Sequence, residues 1–351
     1  ISSTEKFFND IKNIYQFDIE NAIYKMTSSG TTGEPKVIPI NSINLENYIK
    51  QINIIATFEK GDTFSQIPNL TFDLSIHDLF LSFFHKGTLI PIGTEMTLFL
   101  NRFIEKMNIN NIMSVPSFLE LGIKNKICCD NKVKNIFLCG EALRTDVAQK
   151  IVKTFPKANC FNLYGPTECT IAVLYFKFSG EVINLKSDQI PIGKPFFFNE
   201  VFLSEMNELL ISGKQVFKGY LSNTESPFVF NKKRKFYKTG DICQLKNNNY
   251  HFIGRIGFQI KYRGYRVEIE GLEIYLSKLL QTEIILIPHN EISKCNYKEI
   301  TIFHTNKDLE FSNIKKLLPP FLNSVLIECI NEIPRTKSYK VNRKKIFLDY
   351  L

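Results

Sequence analysis

The sequence predicts an α/β protein: a mostly parallel sheet covered by helices, a β-rich subdomain beside it, and a small α+β domain at the C-terminal end. Three observations lead there. Between Ala22 and Leu163, short β-rich runs alternate with stretches whose apolar residues recur at helical spacing. After about Pro195 the pattern changes to paired runs around tight turns, the mark of antiparallel hairpins. From Gly257 onward helical and strand patterns alternate again over a short length.

In chain order, Phe7, Phe8, Ile11, Ile14 and Tyr15 recur at helical spacing and predict a first helix. A strand is expected over residues 22–26, and Leu45, Tyr48, Ile49 and Ile52 then mark another helix. Further strands are expected over 88–92, 112–115, 135–139 and 159–163. Strands so interleaved with helices form parallel sheets, whose ligand sites lie beyond the strands' carboxyl ends. Residues 200–204 and 208–211 flank a tight turn at Met206-Asn207, and 242–245 and 250–253 flank Asn247-Asn248-Asn249. Beyond Gly257, a helix over 271–280, strands over 283–287 and 299–303, a helix over 308–317 and a strand over 325–329 make the small final unit. Two domains are expected, 1–256 and 257–351, with no repeats and no low-complexity linker.

Composition narrows the function. At 351 residues the chain can bury a large core. No apolar run reaches the roughly 18 residues that span a bilayer; Leu79-Phe80-Leu81-Ser82-Phe83-Phe84 is broken by Ser82 and flanked by Asp78 and His85, so it reads as core. The eight cysteines form no Cys-x-x-Cys pair, which argues against a zinc site or disulfide scaffold and favours a reducing cytoplasm. Net charge is +9, but the basic residues are dispersed apart from Lys232-Lys233-Arg234-Lys235, so nucleic acid is not expected. That run is read as a solvated loop or a face for an acidic protein. The chain opens at Ile1 with no secretory pattern, and reads as the end of a fragment.

Five motifs carry the chemistry. Ser28-Ser29-Gly30-Thr31-Thr32-Gly33-Glu34-Pro35-Lys36 is not a Walker loop, because only two residues separate Gly30 from Gly33. It still has parts that suit a phosphate: glycines that let backbone amides approach, hydroxyl donors, and the charge of Lys36. By itself it reads more readily as a flexible Ser/Thr/Gly turn, and the other motifs turn the balance. The others are Asn162-Leu163-Tyr164-Gly165-Pro166-Thr167-Glu168, Tyr237-Lys238-Thr239-Gly240-Asp241, Gly254-Arg255 followed by residues 259–266, and the stretch from Pro334 to Arg343 that contains Lys340.

This ordered set resembles the adenylate-forming enzymes, which join a carboxylic acid to AMP and then to a thiol; the likeness covers residues 22–346. The resemblance implies ATP and Mg²⁺ as cofactors, with Ser28 to Gly33 and Lys36 on the phosphates, Tyr164 stacked on adenine, and Thr167 at the α-phosphate. Glu168 would hold the metal, a carboxylate oxygen suiting a hard cation. Gly140-Glu141-Ala142 would wall the adenine slot, while Asp241 and Arg255 would serve the ribose. Lys340 would bridge the attacking carboxylate and the α-phosphate in the transition state. Tyr339 stands where glycine is usual, Asn342 where aspartate is usual, and Gly257 where Gly-Arg-x-Asp places aspartate. The family's C-terminal domain is mobile and turns at that last position. Relatives also carry a substantial N-terminal stretch before the phosphate loop, which implies that a supporting subdomain is lacking here.

Residues 72–79, Phe-Asp-Leu-Ser-Ile-His-Asp-Leu, resemble the start of the substrate pocket in amino-acid-activating members. Asp73 would then pair with the substrate ammonium, although an aspartate there also suits capping the helix that follows. With Phe137 to Leu143, this segment is most similar to the D-alanine:carrier-protein ligase branch. The implied pocket holds Asp73, Leu74, His77, Phe118, Phe137, Cys139, Leu163, Ile171 and Ala172, and its two phenylalanines favour a small amino acid. Cys139 would bias chirality or act simply as a small core residue. His77 is a polar intrusion in a pocket for alanine. The implied partner is a separate carrier protein bearing a phosphopantetheine thiol. An acyl- or aryl-CoA ligase, or a catalytically silent adenylation-like binding protein, remain as alternatives.

Overall fold

The computed structural model describes residues 22–28, 36–93, 100–123, 132–180, 187–221, 226–231, 234–256, 259–262, 265–293, 296–322, 324–335 and 341–351. The helix expected over residues 7–15 lies outside them. Among the described residues there are two compact units, one on residues 22–27 and Val37–Gly254, the other on Ser28, Lys36 and Arg255–Leu351.

Strands β1 (Ala22–Ser28) and β2 (Lys36–Asn41) pair as a small sheet and lead into helix α1 (Ser42–Ile55). At its start the Asn41 amide donates to the Asn44 side chain at 2.9 Å, satisfying a group that the helix itself leaves open. The main sheet follows: β3 (Thr63–Gln66), β4 (Thr88–Pro91), β5 (Asn111–Ser114), β6 (Asn135–Leu138), β7 (Asn159–Tyr164), β8 (Leu174–Phe178) and β9 (Lys194–Pro195), in the order β4-β3-β5-β6-β7-β8-β9. The first five in that order are parallel, and β8 and β9 are antiparallel additions. Helices α2 (Leu74–Phe84), α3 (Leu100–Lys106), α4 (Pro116–Ile123) and α5 (Thr145–Thr154) lie between strands in sequence.

Side chains alternate across a strand, and here both faces are buried. Ile112, Ile136, Leu138 and Cys160 enter one core layer with residues of α3, α4 and α5. Met113, Phe137, Phe161 and Leu163 enter the other, with Leu45, Tyr48, Ile49 and Ile52 of α1 and Leu74, Ile76 and Leu81 of α2. The strand starts carry a buried polar ladder: Asn111, Asn135 and Asn159 lie in register, and Asn135 Nδ2 donates to Asn111 Oδ1 at 2.8 Å and to Thr57 O at 2.9 Å. The ladder marks the end of the sheet away from the strands' carboxyl termini.

The β-rich part comprises β10 (Asn199–Leu203), β11 (Glu208–Gly213), β12 (Phe228–Asn231), β13 (Arg234–Lys246) and β14 (Asn249–Arg255). Antiparallel hairpins join β10 to β11 and β13 to β14. Asn247 and Asn248 both take positive φ (50° and 57°), the backbone that a tight two-residue hairpin turn requires.

In the smaller unit, β15 (Gln259–Tyr262) and β16 (Tyr265–Glu268) precede α6 (Ile269–Leu280), β17 (Ile284–Ser293), β18 (Asn296–His304), α7 (Phe311–Leu317), β19 (Leu326–Cys329) and a terminal helix α8 (Arg343–Tyr350). The sequence reading did not anticipate the β15–β16 pair or α8. Helix α8 buries only Ile346, against Ile285, Ile287 and Phe303, and leaves Phe347 and Leu348 exposed, so it shows no helical stripe. Asn342 caps it, accepting from the Lys345 amide at 3.1 Å. Arg343 makes a two-pronged ion pair with buried Glu273, both contacts at 2.6 Å, which fastens α8 to α6. Among the described residues, no helix is long and apolar enough to cross a membrane.

Candidate active site

The carboxyl ends of β6 and β7 deliver the first group of residues. Cys139 follows β6, is 1% exposed, and its amide donates to Ser114 O at 3.1 Å. Gly140 turns the chain with φ of 92°. The Glu141 carboxylate then accepts from the Ser117 amide at 3.0 Å and from the Ser117 hydroxyl at 2.9 Å. It thus caps the first turn of α4, so whatever Gly140-Glu141-Ala142 offers a ligand comes from elsewhere than this engaged side chain.

At β7, Asn162 and Leu163 point into the interior, Asn162 Nδ2 donating to Pro191 O at 2.8 Å. Tyr164 is only part-buried, and its hydroxyl donates to the Asp241 carboxylate. Two motifs far apart in sequence therefore meet. The Asp241 amide in turn donates to Thr239 Oγ1 at 3.0 Å, which holds the aspartate in place. Gly165 is required by close packing: a Cβ there would lie 2.6 Å from the Ala172 Cα and 2.8 Å from the Ile171 carbonyl oxygen. Beyond Pro166 comes a 3-10 turn, Thr167–Cys169, in which Thr167 is part-buried and Glu168 wholly buried. The Glu168 carboxylate accepts from the Tyr220 hydroxyl at 2.9 Å.

Next stands a strained segment. Thr170 and Ile171, both β-branched, have φ of 61° and 67°, and the Ala172 amide donates to Thr170 O at 2.8 Å. That is a γ-turn of the rarer, positive-φ kind, with each residue so held costing on the order of 1–3 kcal/mol. Its product is an aimed amide: Ile171 N–H donates to the Asp73 carboxylate at 3.3 Å, while the Ile171 carbonyl lies 4.0 Å from Cys139 Sγ. Asp73 is 8% exposed and sits just before α2, with helical backbone angles and no capping bond from its side chain. The helix-capping role is therefore corrected, because the carboxylate reaches across to Ile171 instead.

One helical turn on, His77 Nδ1 lies 2.6 Å from the Tyr48 hydroxyl, and its ring meets Phe137 edge-on at 4.7 Å. Burial lowers its pKa to about 3, so the imidazole is neutral at ordinary pH. His77 is thus a neutral group one helical turn from Asp73. Phe137 stacks on Phe161 at 5.1 Å, and Leu74 and Ala172 belong to the same core layer. Phe118 is partly buried against the layer on the other face of the sheet.

Lys36 is half-buried where β2 begins, Ser28 closes β1 and Arg255 closes β14; these three residues are grouped with the smaller unit. Ser29, Gly30, Thr31, Thr32, Gly33, Gly257 and Lys340 lie outside the described residues. Tyr48, Gln215 and Tyr220 were not anticipated. Tyr48 reads in sequence as one more apolar position of α1, and only the three-dimensional contact reveals its polar use. Among the described residues no three His, Cys, Asp or Glu side chains cluster as metal ligands. A magnesium ion carried in on phosphates needs only one or two protein carboxylates, and Glu168, steadied by Tyr220, would be one, so the residues present fit that cation.

Residues 4–221 match the family described as AMP-binding enzyme. The D-alanine--D-alanyl carrier protein ligase of Bacillus licheniformis is 31% identical over 93% of this chain and 71% of the relative. That of Staphylococcus haemolyticus is 29% identical over 95% and 72%. Among solved structures, the Vibrio cholerae adenylation domain AlmE, in complex with glycyl-adenosine-5'-phosphate, superposes with a TM-score of 0.84 at 27% identity, over 97% of this chain and 69% of that one. An NRPS protein containing adenylation and PCP domains, holo-PA1221, shares the fold with a TM-score of 0.79 at 21% identity, over 95% and 61%.

Proposed function

The chain belongs to the family of AMP-binding enzymes, and from that footing we propose that it activates a small amino acid with ATP and passes it to the phosphopantetheine thiol of a carrier protein. The substrate carboxylate oxygen attacks the α-phosphorus, the bond to pyrophosphate breaks, and aminoacyl-AMP forms. The carrier's sulfur then attacks the acyl carbon and AMP departs with the bonding electrons. The relatives' activity and the adenylation-domain neighbours support this reading.

The observation that carries the choice of acid is Asp73, a buried carboxylate presented to the site and held by the Ile171 amide. An α-ammonium would make a charge-assisted contact with it, which a fatty or aryl acid has no group to make. Neutral His77 adds no competing cation. Tyr164, with its hydroxyl on Asp241, brings an aromatic face beside a carboxylate, which suits a nucleoside's base and its ribose hydroxyls. Glu168 would hold Mg²⁺, whose charge, when bound, offsets that of the phosphates. Lys340 is proposed as the cation between the two anions that react. We place the enzyme in the cytoplasm, where ATP is supplied.

Amino-acid-dependent ATP–pyrophosphate exchange over a panel of small D- and L-amino acids tests the reading. Exchange is expected with one small member and absent with propionate or benzoate. Exchange supported only by acids without an amino group would replace it with an acyl- or aryl-CoA ligase.

A further inference from the structure

The strained turn at Thr170–Ala172 is held by a side chain that neither the motifs nor the proposed chemistry includes. Gln215, 1% exposed, lies in the loop after β11. Its Nε2 donates to Ala172 O at 2.7 Å and to Thr170 O at 3.4 Å, while its own carbonyl accepts from Thr170 Oγ1 at 2.6 Å. The amide is itself oriented, since Asn199 Nδ2 donates to Gln215 Oε1 at 2.7 Å. The loop backbone on either side is fixed from α1, with Asn44 Nδ2 donating to Lys214 O at 2.7 Å and to Val216 O at 3.2 Å. On its other side the turn rests against Gly165, where a Cβ would not fit.

A β-branched residue leaves the left-handed region unless its surroundings over-determine it. Gln215 provides that constraint by binding both carbonyls that flank Ile171, which leaves the Ile171 amide aimed at Asp73. We infer that Gln215 is a positioning residue for amino-acid recognition, acting through the Thr170–Ala172 turn to fix the Asp73 carboxylate in the orientation that receives the substrate ammonium. This rests on Asp73 being the ammonium's partner. It assigns Gln215 no contact with substrate.

The test uses two variants. Gln215→Met keeps the length and removes the donor; it should raise the KM for the amino acid roughly tenfold, as befits one lost buried hydrogen bond, while the KM for ATP stays within about twofold. Gln215→Glu would set a carboxylate against two carbonyl oxygens when ionised and restore a donor when protonated. Its amino-acid KM, relative to wild type, should therefore fall as pH is lowered from 8 to 6. A side chain that only stabilised the fold would move both KM values or neither, and would give no such pH profile. If wild type activates alanine and propionate alike, the role of Asp73 fails and this inference with it. If wild type discriminates but Gln215→Met keeps its amino-acid KM, only the inference is overturned. Should Gln215→Met not fold, a flat relative profile in Gln215→Glu overturns it equally.

Discussion

A carboxylate as enclosed as Asp73 must be matched by positive charge or hydrogen-bond donors; the Ile171 amide is one such donor, and an incoming ammonium would be another. Asp73→Ala is expected to weaken amino-acid activation by roughly 2–5 kcal/mol, the cost of a buried charge left without its partner. Exchange rates measured against amino-acid and ATP concentration separately should show the loss on the amino-acid axis; an unaltered amino-acid KM would remove Asp73 from recognition. Lys340→Ala should slow adenylation on the order of 10²–10³-fold with ATP binding little changed, because its charge is needed mainly in the transition state. Undiminished exchange would exclude it. At this scale the sequence named Asp73, Ile171 and Cys139, but not their arrangement. Thr170 and Ile171 are poor candidates for positive φ by residue type, and Gln215 looks like any polar loop residue, so nothing local announces a strained turn or the amide that holds it.

Helix α2 presents two adjacent ionisable residues to the interior, and burial acts on them in opposite senses. It pushes the Asp78 carboxyl well above its usual range and lowers His77. Among the described residues neither Asp78 oxygen has a hydrogen-bond partner. Because the folded state holds the Asp78 proton more tightly than the unfolded chain does, the contribution of Asp78 to stability is present at low pH. It is lost as pH rises from about 4 towards the folded-state pKa. Asp78→Asn removes that titration, so the melting temperature of the variant relative to wild type should climb between pH 5 and pH 9. A constant difference across that range would show that Asp78 does not titrate with folding. Elements such as α1, β5 and β6 were legible because their apolar residues keep helical spacing or fill both faces of a strand. Helix α8 was not, since a single buried residue makes no stripe; its one local sign was Asn342, which caps the helix. Where the resemblance implies aspartate, asparagine keeps a capping oxygen.

For the molecule as a whole, one crossing between the compact units falls between Gly254 and Arg255, shortly before Gly257. The proposed activity asks one protein to perform two chemically different steps on the same acyl group: Lys340 must be near the phosphate in the first, and the carrier's thiol must reach the acyl carbon in the second. A joint that takes up a change of backbone direction between them suits a residue with wide φ/ψ freedom, and glycine stands at 257, where the resemblance implies aspartate. Gly257→Pro would fix φ near roughly −65° and remove a backbone donor. It should therefore spare whichever half-reaction tolerates that angle and suppress the other, whereas a residue in an indifferent surface turn would leave the two in proportion. Pyrophosphate exchange and loading of a phosphopantetheinylated carrier, measured on one preparation, separate these cases. A change of tenfold or so in the ratio of the two rates is expected, an effect of about 1.4 kcal/mol on one barrier alone. Equal retention of both activities would show that the passage from adenylation to transfer does not turn on Gly257.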